Sequence, residues 1–255
     1  MLKRKTQILL NESYGPHERN VLDIYLTKDH PKAVVLLIHG GGWNMGDKWM
    51  YREMQRFLGK NKIASLNMNY RLLKNGATYK EMMEDIQKAE NYLFHFMESQ
   101  NLEFNNYHIM GESAGAHLSL LYAHTHPAHI ASAMSFSGPV FFDARPKSNN
   151  IKSNIEQDIY RKLAGLKREK NLEILQNGFN DMSPLLHIQS VKTLLFQGGD
   201  DSLVNPKYAE IYHQQLQEQS VENKFIFQPS WGHFYRLWPA KRKIIREIIL
   251  NWIEE

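Results

Sequence analysis

Gly111-Glu112-Ser113-Ala114-Gly115 constrains this chain more than any other stretch. The apolar run Tyr107-His108-Ile109-Met110 precedes it, and Ala116-His117-Leu118-Ser119-Leu120-Leu121-Tyr122-Ala123 follows, so Gly-x-Ser-x-Gly stands between a strand and a helix. A serine on so sharp a turn projects its hydroxyl off the sheet, and the flanking glycines let the strand and helix backbones approach closely. The helix N-terminus behind it favours negative charge developing beside the serine. Such a serine becomes a nucleophile when the chain also supplies a base, an acid to orient that base, and donors for an oxyanion.

The rest of the chain alternates strand and helix signals. Residues 6–11 and 20–26 read as extended segments separated by the turn Tyr14-Gly15-Pro16. Ala33 to Ile38 is a continuous aliphatic run, as expected for a strand buried on both faces, and Ile63 to Tyr70 reads the same way. Helices are expected over 50–60 and 79–99, the latter with Met82, Met83, Ile86, Ala89, Leu93 and Phe96 at helical spacing. Further strands fall at 130–137, 191–196 and 223–228, and helices at 206–219, with Asn205 as its cap, and at 239–253. In the last helix Ile244, Ile245, Ile248, Ile249 and Trp252 are expected to face the sheet, while its basic first turn opposes the helix dipole. The alternation predicts one α/β domain over 1–255, a mostly parallel sheet of about eight strands flanked by helices. Residues 141–190 break the rhythm with two short helical patterns, at about 154–165 and 168–177, and read as an inserted cap or lid.

Composition excludes several classes. With 255 residues, 42% hydrophobic, the chain can bury a full core. It has no cysteine, which rules out disulfides, thiol catalysis and cysteine-based metal sites and suits a cytoplasmic location. The N-terminal residues lack the apolar stretch of a signal peptide, and no run is long enough to span a bilayer. A net charge of +4 is too small to point to nucleic acid. The basic groups Lys152, Arg161, Lys162, Lys167, Arg168, Lys170 and Lys241, Arg242, Lys243, Arg246 read as solvated helix faces. No membrane partner is expected, and a homodimer is left open.

Two loops after late strands supply the missing chemistry. Gln197-Gly198-Gly199-Asp200-Asp201-Ser202-Leu203-Val204 offers two neighbouring aspartates; Asp201 is preferred as the orienting acid and Asp200 as a turn residue. Ser230-Trp231-Gly232-His233-Phe234-Tyr235 offers His233, the one histidine after Asp201 that follows a strand. An imidazole is suited to take the hydroxyl proton at neutral pH. His39-Gly40-Gly41-Gly42, after the first buried strand, matches an oxyanion-hole motif. The N–H groups of Gly41 and Gly42, with that of Ala114, are assigned to it, and His39 is expected to be structural.

These residues carry a resemblance. The chain is similar to the α/β-hydrolase esterases of the hormone-sensitive-lipase-like and acetyl-esterase group, including BD-FAE-like carboxylesterases. The matching pieces are Leu22-Asp23-Ile24-Tyr25-Leu26, His39 to Asp47, Asn69-Tyr70-Arg71-Leu72, Gly111 to Leu118, Gly198 to Val204 and Gly232-His233. The resemblance implies the α/β-hydrolase fold, no cofactor, a small ester as substrate, and the triad Ser113, Asp201, His233. Two departures leave the choice between Asp200 and Asp201 open: Phe196-Gln197-Gly198 stands where similar enzymes often have His-Gly, and Asn205 separates Val204 from Pro206.

Several other features have plainer readings. His124, His126 and His129 look like a metal tract, but no carboxylate lies among them and histidine suits a helix C-terminus, so no metal is expected. His117 is expected to pack in the core. Trp43, Phe141, Phe142 and Phe234 are the candidates for an apolar substrate pocket. The rival enzyme is an amide hydrolase resembling kynurenine formamidase, and the rival class is a non-catalytic ligand receptor on the same fold. A true lipase is disfavoured for want of an interfacial helix.

Overall fold

The central strands of this chain are largely aliphatic and buried along their length, while the two edge strands are partly exposed. The computed structural model describes residues 7–27, 30–145 and 151–255. The first residue of the strand expected at 6–11, the leader reading over 1–6, and residues 146–150 of the expected insertion lie outside them. β3 (Ala33–Ile38) is buried along its whole length and splits its side chains between two cores. Val34, Leu36 and Ile38 join one cluster and Ala33, Val35 and Leu37 the other. The first cluster lies under α2 (Tyr79–Ser99), α3 (Ala114–Thr125) and α6 (Pro206–Glu218); the second lies under α1 (Arg52–Lys60) and α7 (Pro239–Glu254).

One eight-stranded sheet runs in the order β1-β2-β4-β3-β5-β6-β7-β8. Its members are β1 (Gln7–Ser13), β2 (Val21–Leu26), β3, β4 (Ile63–Met68), β5 (Tyr107–Glu112), β6 (Ser132–Phe136), β7 (Lys192–Gly198) and β8 (Asn223–Gln228). The first two strands pair antiparallel, β2 is antiparallel to β4, and all remaining pairs are parallel. After β3 the chain winds outward to β4, then returns to place β5 on the other side of β3. That reversal opens a crevice at the carboxyl ends of β3 and β5, where doubly wound sheets bind ligands.

The observed elements differ from the expected ones at their ends. The helix expected at 50–60 is a 3-10 turn over Lys48–Tyr51 followed by α1, with Asp47 capping the turn through Trp49 N. β4 stops at Met68 because Asn69 and Tyr70 turn away to brace a neighbouring loop through Asp47 and the His39 carbonyl. β7 runs on to Gly198. In residues 151–190, α4 (Ile151–Leu163) starts earlier than its apolar period suggested, and α5 (Leu172–Asp181) starts later, where the Asn171 side chain accepts from Glu173 N and Ile174 N. On α7 the buried face is Ile245, Ile249, Trp252 and Ile253, while Ile244 is 41% exposed. Spacing of four, seven and eight residues keeps one helix face together, and Ile244 lies about 100° round from it. The basic start of α7 is partly compensated by Glu53 of α1, which pairs with Arg242 at 2.7 Å and Arg246 at 3.3 Å.

Candidate active site

Ser113 sits at φ 54°, ψ −121°, a region that non-glycine residues enter at a cost of about 1–3 kcal/mol. Its N–H donates to the Phe136 carbonyl at 2.8 Å, and its carbonyl accepts from His117 N at 3.0 Å. The close packing permits no side chain at the flanking positions. A Cβ on Gly111 would lie 2.2 Å from the Gly115 carbonyl carbon, and one on Gly115 would lie 2.1 Å from the Ile38 carbonyl oxygen. The pentapeptide is thus wedged between β3 and α3, and the serine hydroxyl is what remains to project.

His233 comes to it from the loop after β8. Its Nε2 is 2.9 Å from Ser113 Oγ, and its Nδ1 is 2.8 Å from Asp201 Oδ2. Asp201 Oδ2 also accepts from Gln197 Nε2 at 3.0 Å, while Oδ1 accepts from Leu203 N at 2.9 Å and Val204 N at 2.8 Å. Burial pushes the Asp201 carboxyl up, but the hydrogen bonds from His233 and the Val204 and Leu203 amides, with the attraction of His233, outweigh it and hold the group below its ordinary value. An ionised Asp201 requires Nδ1 of His233 to carry the hydrogen. The Nε2 lone pair then faces the serine hydroxyl.

Of the two aspartates, it is Asp201 whose carboxylate lies against His233. Asp200 is exposed, and its backbone N–H donates to the Trp231 carbonyl at 3.1 Å, which ties the acid loop to the histidine loop. Gly198 lies in the same seam, where a Cβ would meet the Trp231 carbonyl oxygen at 2.1 Å. Both sequence departures have a structural account. Gln197 reaches the acid directly, and Asn205 caps α6 by accepting from Lys207 N at 3.1 Å.

The glycine loop lies against the elbow. A Cβ on Gly40 would be 2.8 Å from the Glu112 carbonyl oxygen and 3.4 Å from Ser113 Cβ. Gly41 (φ 119°) and Gly42 (φ 58°) take left-handed conformations, and a Cβ on Gly41 would collide with the Met45 carbonyl at 2.2 Å. Ala114 opens α3, where helical geometry provides no carbonyl for its N–H. Arg19 holds the loop from behind, donating to the Gly46 carbonyl at 3.1 Å and the Tyr70 carbonyl at 2.7 Å and lying 3.2 Å from His39 Nε2. An arginine only donates, so His39 Nε2 accepts and its Nδ1–H donates to the Gly40 carbonyl at 2.7 Å. Burial lowers the His39 pKa to about 4, consistent with a neutral structural ring. A further brace is the buried pair Lys48 and Asp23, with Asn69 Oδ1 accepting from Lys48 N at 2.7 Å. Neither Arg19 nor the pairing of Lys48 with Asp23 was singled out from the sequence, because Arg19 lies about 20 residues or more from the loop residues it holds and Lys48 lies 25 residues from Asp23.

The four pocket candidates divide. Trp43 and Phe142 are buried at 4% and 0% exposure and belong to the core instead of lining an opening. Trp43 Nε1 donates to His117 Nδ1 at 3.0 Å, His117 Nε2–H donates to the Met182 carbonyl at 2.7 Å, and the Tyr160 ring packs edge-on to Phe142. Phe141 does face a small cleft of about 30 Å³, with Asp143, Glu156, Leu203 and Tyr208 around it. Phe234 is 60% exposed, with its ring 5.2 Å from that of His233. In the histidine tract, His124 contacts Gln189, His126 stacks on Tyr122 and His129 meets Phe94, so the three rings have separate partners.

Sheet order, elbow and loop positions define the α/β-hydrolase fold. The BD-FAE family model matches residues 22–216, and the chain belongs to that family. Similar curated proteins include a probable isoprenylcysteine alpha-carbonyl methylesterase of Arabidopsis thaliana, 24% identical over 247 residues, covering 89% of this chain and 57% of that protein. A second, from Oryza sativa subsp. japonica, is 30% identical over 115 residues, 44% of this chain and 28% of that protein. The chain therefore spans little more than half the length of the first of these relatives. Among solved structures, a truncated carbohydrate esterase from gut microbiota superposes with TM-score 0.82 at 18% identity, covering 100% of this chain and 99% of that one. Inhibited esterase B from Lactobacillus rhamnosis gives 0.80 at 18% identity, covering 97% and 86%. No helix among the described residues is long and apolar enough to cross a membrane.

Proposed function

We propose that this protein is a serine carboxylic-ester hydrolase acting on small, short-acyl esters through Ser113, His233 and Asp201. The observation that carries the proposal is the unbroken hydrogen-bond chain from Ser113 Oγ through His233 to Asp201, built on a strained elbow. Ser113 Oγ attacks the ester carbonyl as His233 Nε2 takes its proton; the new C–O bond places the carbonyl electron pair on oxygen. The N–H groups of Gly41, Gly42 and Ala114 stabilise that oxyanion, aided by the N-terminus of α3. Collapse breaks the ester C–O bond, His233 returns its proton to the departing alcohol, and water activated by the same ring releases the acid. Asp201 stays ionised throughout, holding the ring in one tautomer and stabilising its cationic form.

Residues 141–190 act as a cap on the single catalytic domain, and Phe141 and Phe234 contact substrate. Support for ester chemistry comes from the methylesterase names of the curated relatives. A cytoplasmic location, suited by the absence of cysteine, belongs to the same proposal. The test is kcat/KM across p-nitrophenyl esters of increasing acyl length, with N-formylkynurenine beside them. The account expects a maximum between acetyl and butyryl and at least about tenfold lower efficiency on the formamide. A maximum at long chains would reject the short-acyl reading, and preference for the formamide would reject the ester reading.

A further inference from the structure

The apolar residues most exposed near the histidine loop are not scattered. Phe234, Leu237 and Trp238 are 60%, 75% and 63% exposed, and Met45, Trp49 and Met50 of the loop after β3 are 62%, 62% and 37% exposed. The two loops touch: Arg236 Nη2 reaches the Met50 carbonyl at 3.4 Å, and the Arg236 guanidinium lies 4.3 Å from the centre of the Tyr51 ring. Arg236 also pairs with Glu112, beside the nucleophile, so this apolar rim is held to the elbow.

Both helices that leave the rim begin with cations. Residues 52–55 and 239–243 carry Arg52, Lys241, Arg242 and Lys243 against the carboxylate of Glu53, with Glu247 one turn further on at 4.0 Å from Lys243. The Arg242–Glu53 contact at 2.7 Å shows that the starts of α1 and α7 lie side by side. Lys241 Nζ lies 4.7 Å from the centre of the Trp231 ring, two residues from His233, and Lys243 is exposed. Cations in a first helical turn oppose the helix dipole, which already makes that end positive. In an isolated molecule this arrangement is unfavourable. It becomes favourable against an anionic surface.

We propose that this rim docks the protein on an anionic phospholipid surface, with Trp49, Leu237 and Trp238 entering the headgroup region and Arg52, Lys241 and Lys243 meeting lipid phosphates. Tryptophan beside exposed leucine and cations is the composition that settles at a membrane interface, and the cation cluster adds the charge complementarity. Because Arg236 ties the rim to Glu112 and Phe234 lies beside His233, amphiphilic esters held in the lipid would be presented close to the Ser113–His233 pair. Such a patch needs neither a spanning nor an amphipathic helix; it is assembled from loops 186 residues apart.

The experiment measures sedimentation of the full chain, as the Ser113→Ala variant, with vesicles of phosphatidylcholine alone and of phosphatidylcholine mixed with phosphatidylglycerol. Binding is expected on the anionic vesicles, weakening with salt, and not on the neutral ones. Arg52→Glu with Lys243→Glu, and separately Leu237→Ser with Trp238→Ser, should each lower the partition coefficient about tenfold or more. In the otherwise wild-type chain both pairs should leave hydrolysis of soluble p-nitrophenyl acetate within about twofold. No binding to anionic vesicles, or equal binding to neutral ones, would overturn the proposal. So would a dimer in sedimentation velocity that the Leu237→Ser, Trp238→Ser pair dissociates, since the occupant would then be a second copy of the chain. Vesicle binding by an inactive variant does not depend on the catalytic assignment, so the two can fail separately.

Discussion

Asp201 is the residue through which the candidate triad is set. Its carboxyl is held below the ordinary 3.8 despite burial, because His233 and two backbone amides donate to it. A folded-state value below the unfolded one means that the group stabilises the fold above the unfolded pKa, and that this contribution is lost as pH falls through the lower folded value. Asp201→Asn removes the charge and permits the wrong tautomer of His233, so kcat should fall about 10⁴-fold with KM little changed. Steady-state kinetics on p-nitrophenyl acetate check this. Ser113 allows a different test of the same site. Its φ of 54° is costly for serine and free for glycine, so Ser113→Gly should abolish hydrolysis while raising stability by about 1 kcal/mol, read as a higher midpoint in urea. A midpoint unchanged or lowered would show that the elbow stores no strain.

At the scale of elements, the elbow works because β3, β5 and α3 meet without side chains between them. Gly115→Ala places a methyl against the Ile38 carbonyl, which lies 2.1 Å from the ideal Cβ, and neither backbone can yield cheaply. That variant should lose about 2 kcal/mol or more of stability and nearly all activity, measured by thermal unfolding and ester hydrolysis together. Lys48→Met leaves Asp23 buried on β2 without its counter-ion, and should cost about 3–5 kcal/mol. Much of this level was legible in the sequence. The aliphatic runs of β3 and β4, the period of α2 and the glycines around Ser113 are local patterns that each report one burial environment. What was not legible came from contacts across the chain. Arg19 looks like an ordinary surface cation until the fold sets it behind residues 39–46, Lys48 until its ammonium meets Asp23 and Asn11, and Trp43 reads as a pocket wall until His117 takes its N–H. Gln197 was visible only as a departure from a pattern; its contact with Asp201 required the turn after β7.

Across the whole molecule, the two cores bury histidines that must stay neutral. Burial lowers His39, His108, His117 and His124 from 6.5 to about 4. Between those values the unfolded chain binds protons that the folded one does not, so the loss of stability from these rings grows as pH drops from 6.5 towards 4 and levels off below. Each ring contributes up to about 1.4 kcal/mol per pH unit in that window. Melting temperatures should be flat above pH 7 and fall steeply below 6.5; a flat profile to pH 5 would show that these rings are solvated. The chemistry proposed for this molecule rests on Ser113 as its one nucleophilic serine. Its most direct measurement is mass spectrometry of the protein after reaction with a fluorophosphonate, peptide by peptide. The account predicts a single adduct on Ser113, absent in Ser113→Ala and strongly slowed in His233→Ala. An adduct on another serine, or undiminished ester hydrolysis by Ser113→Ala, would contradict it.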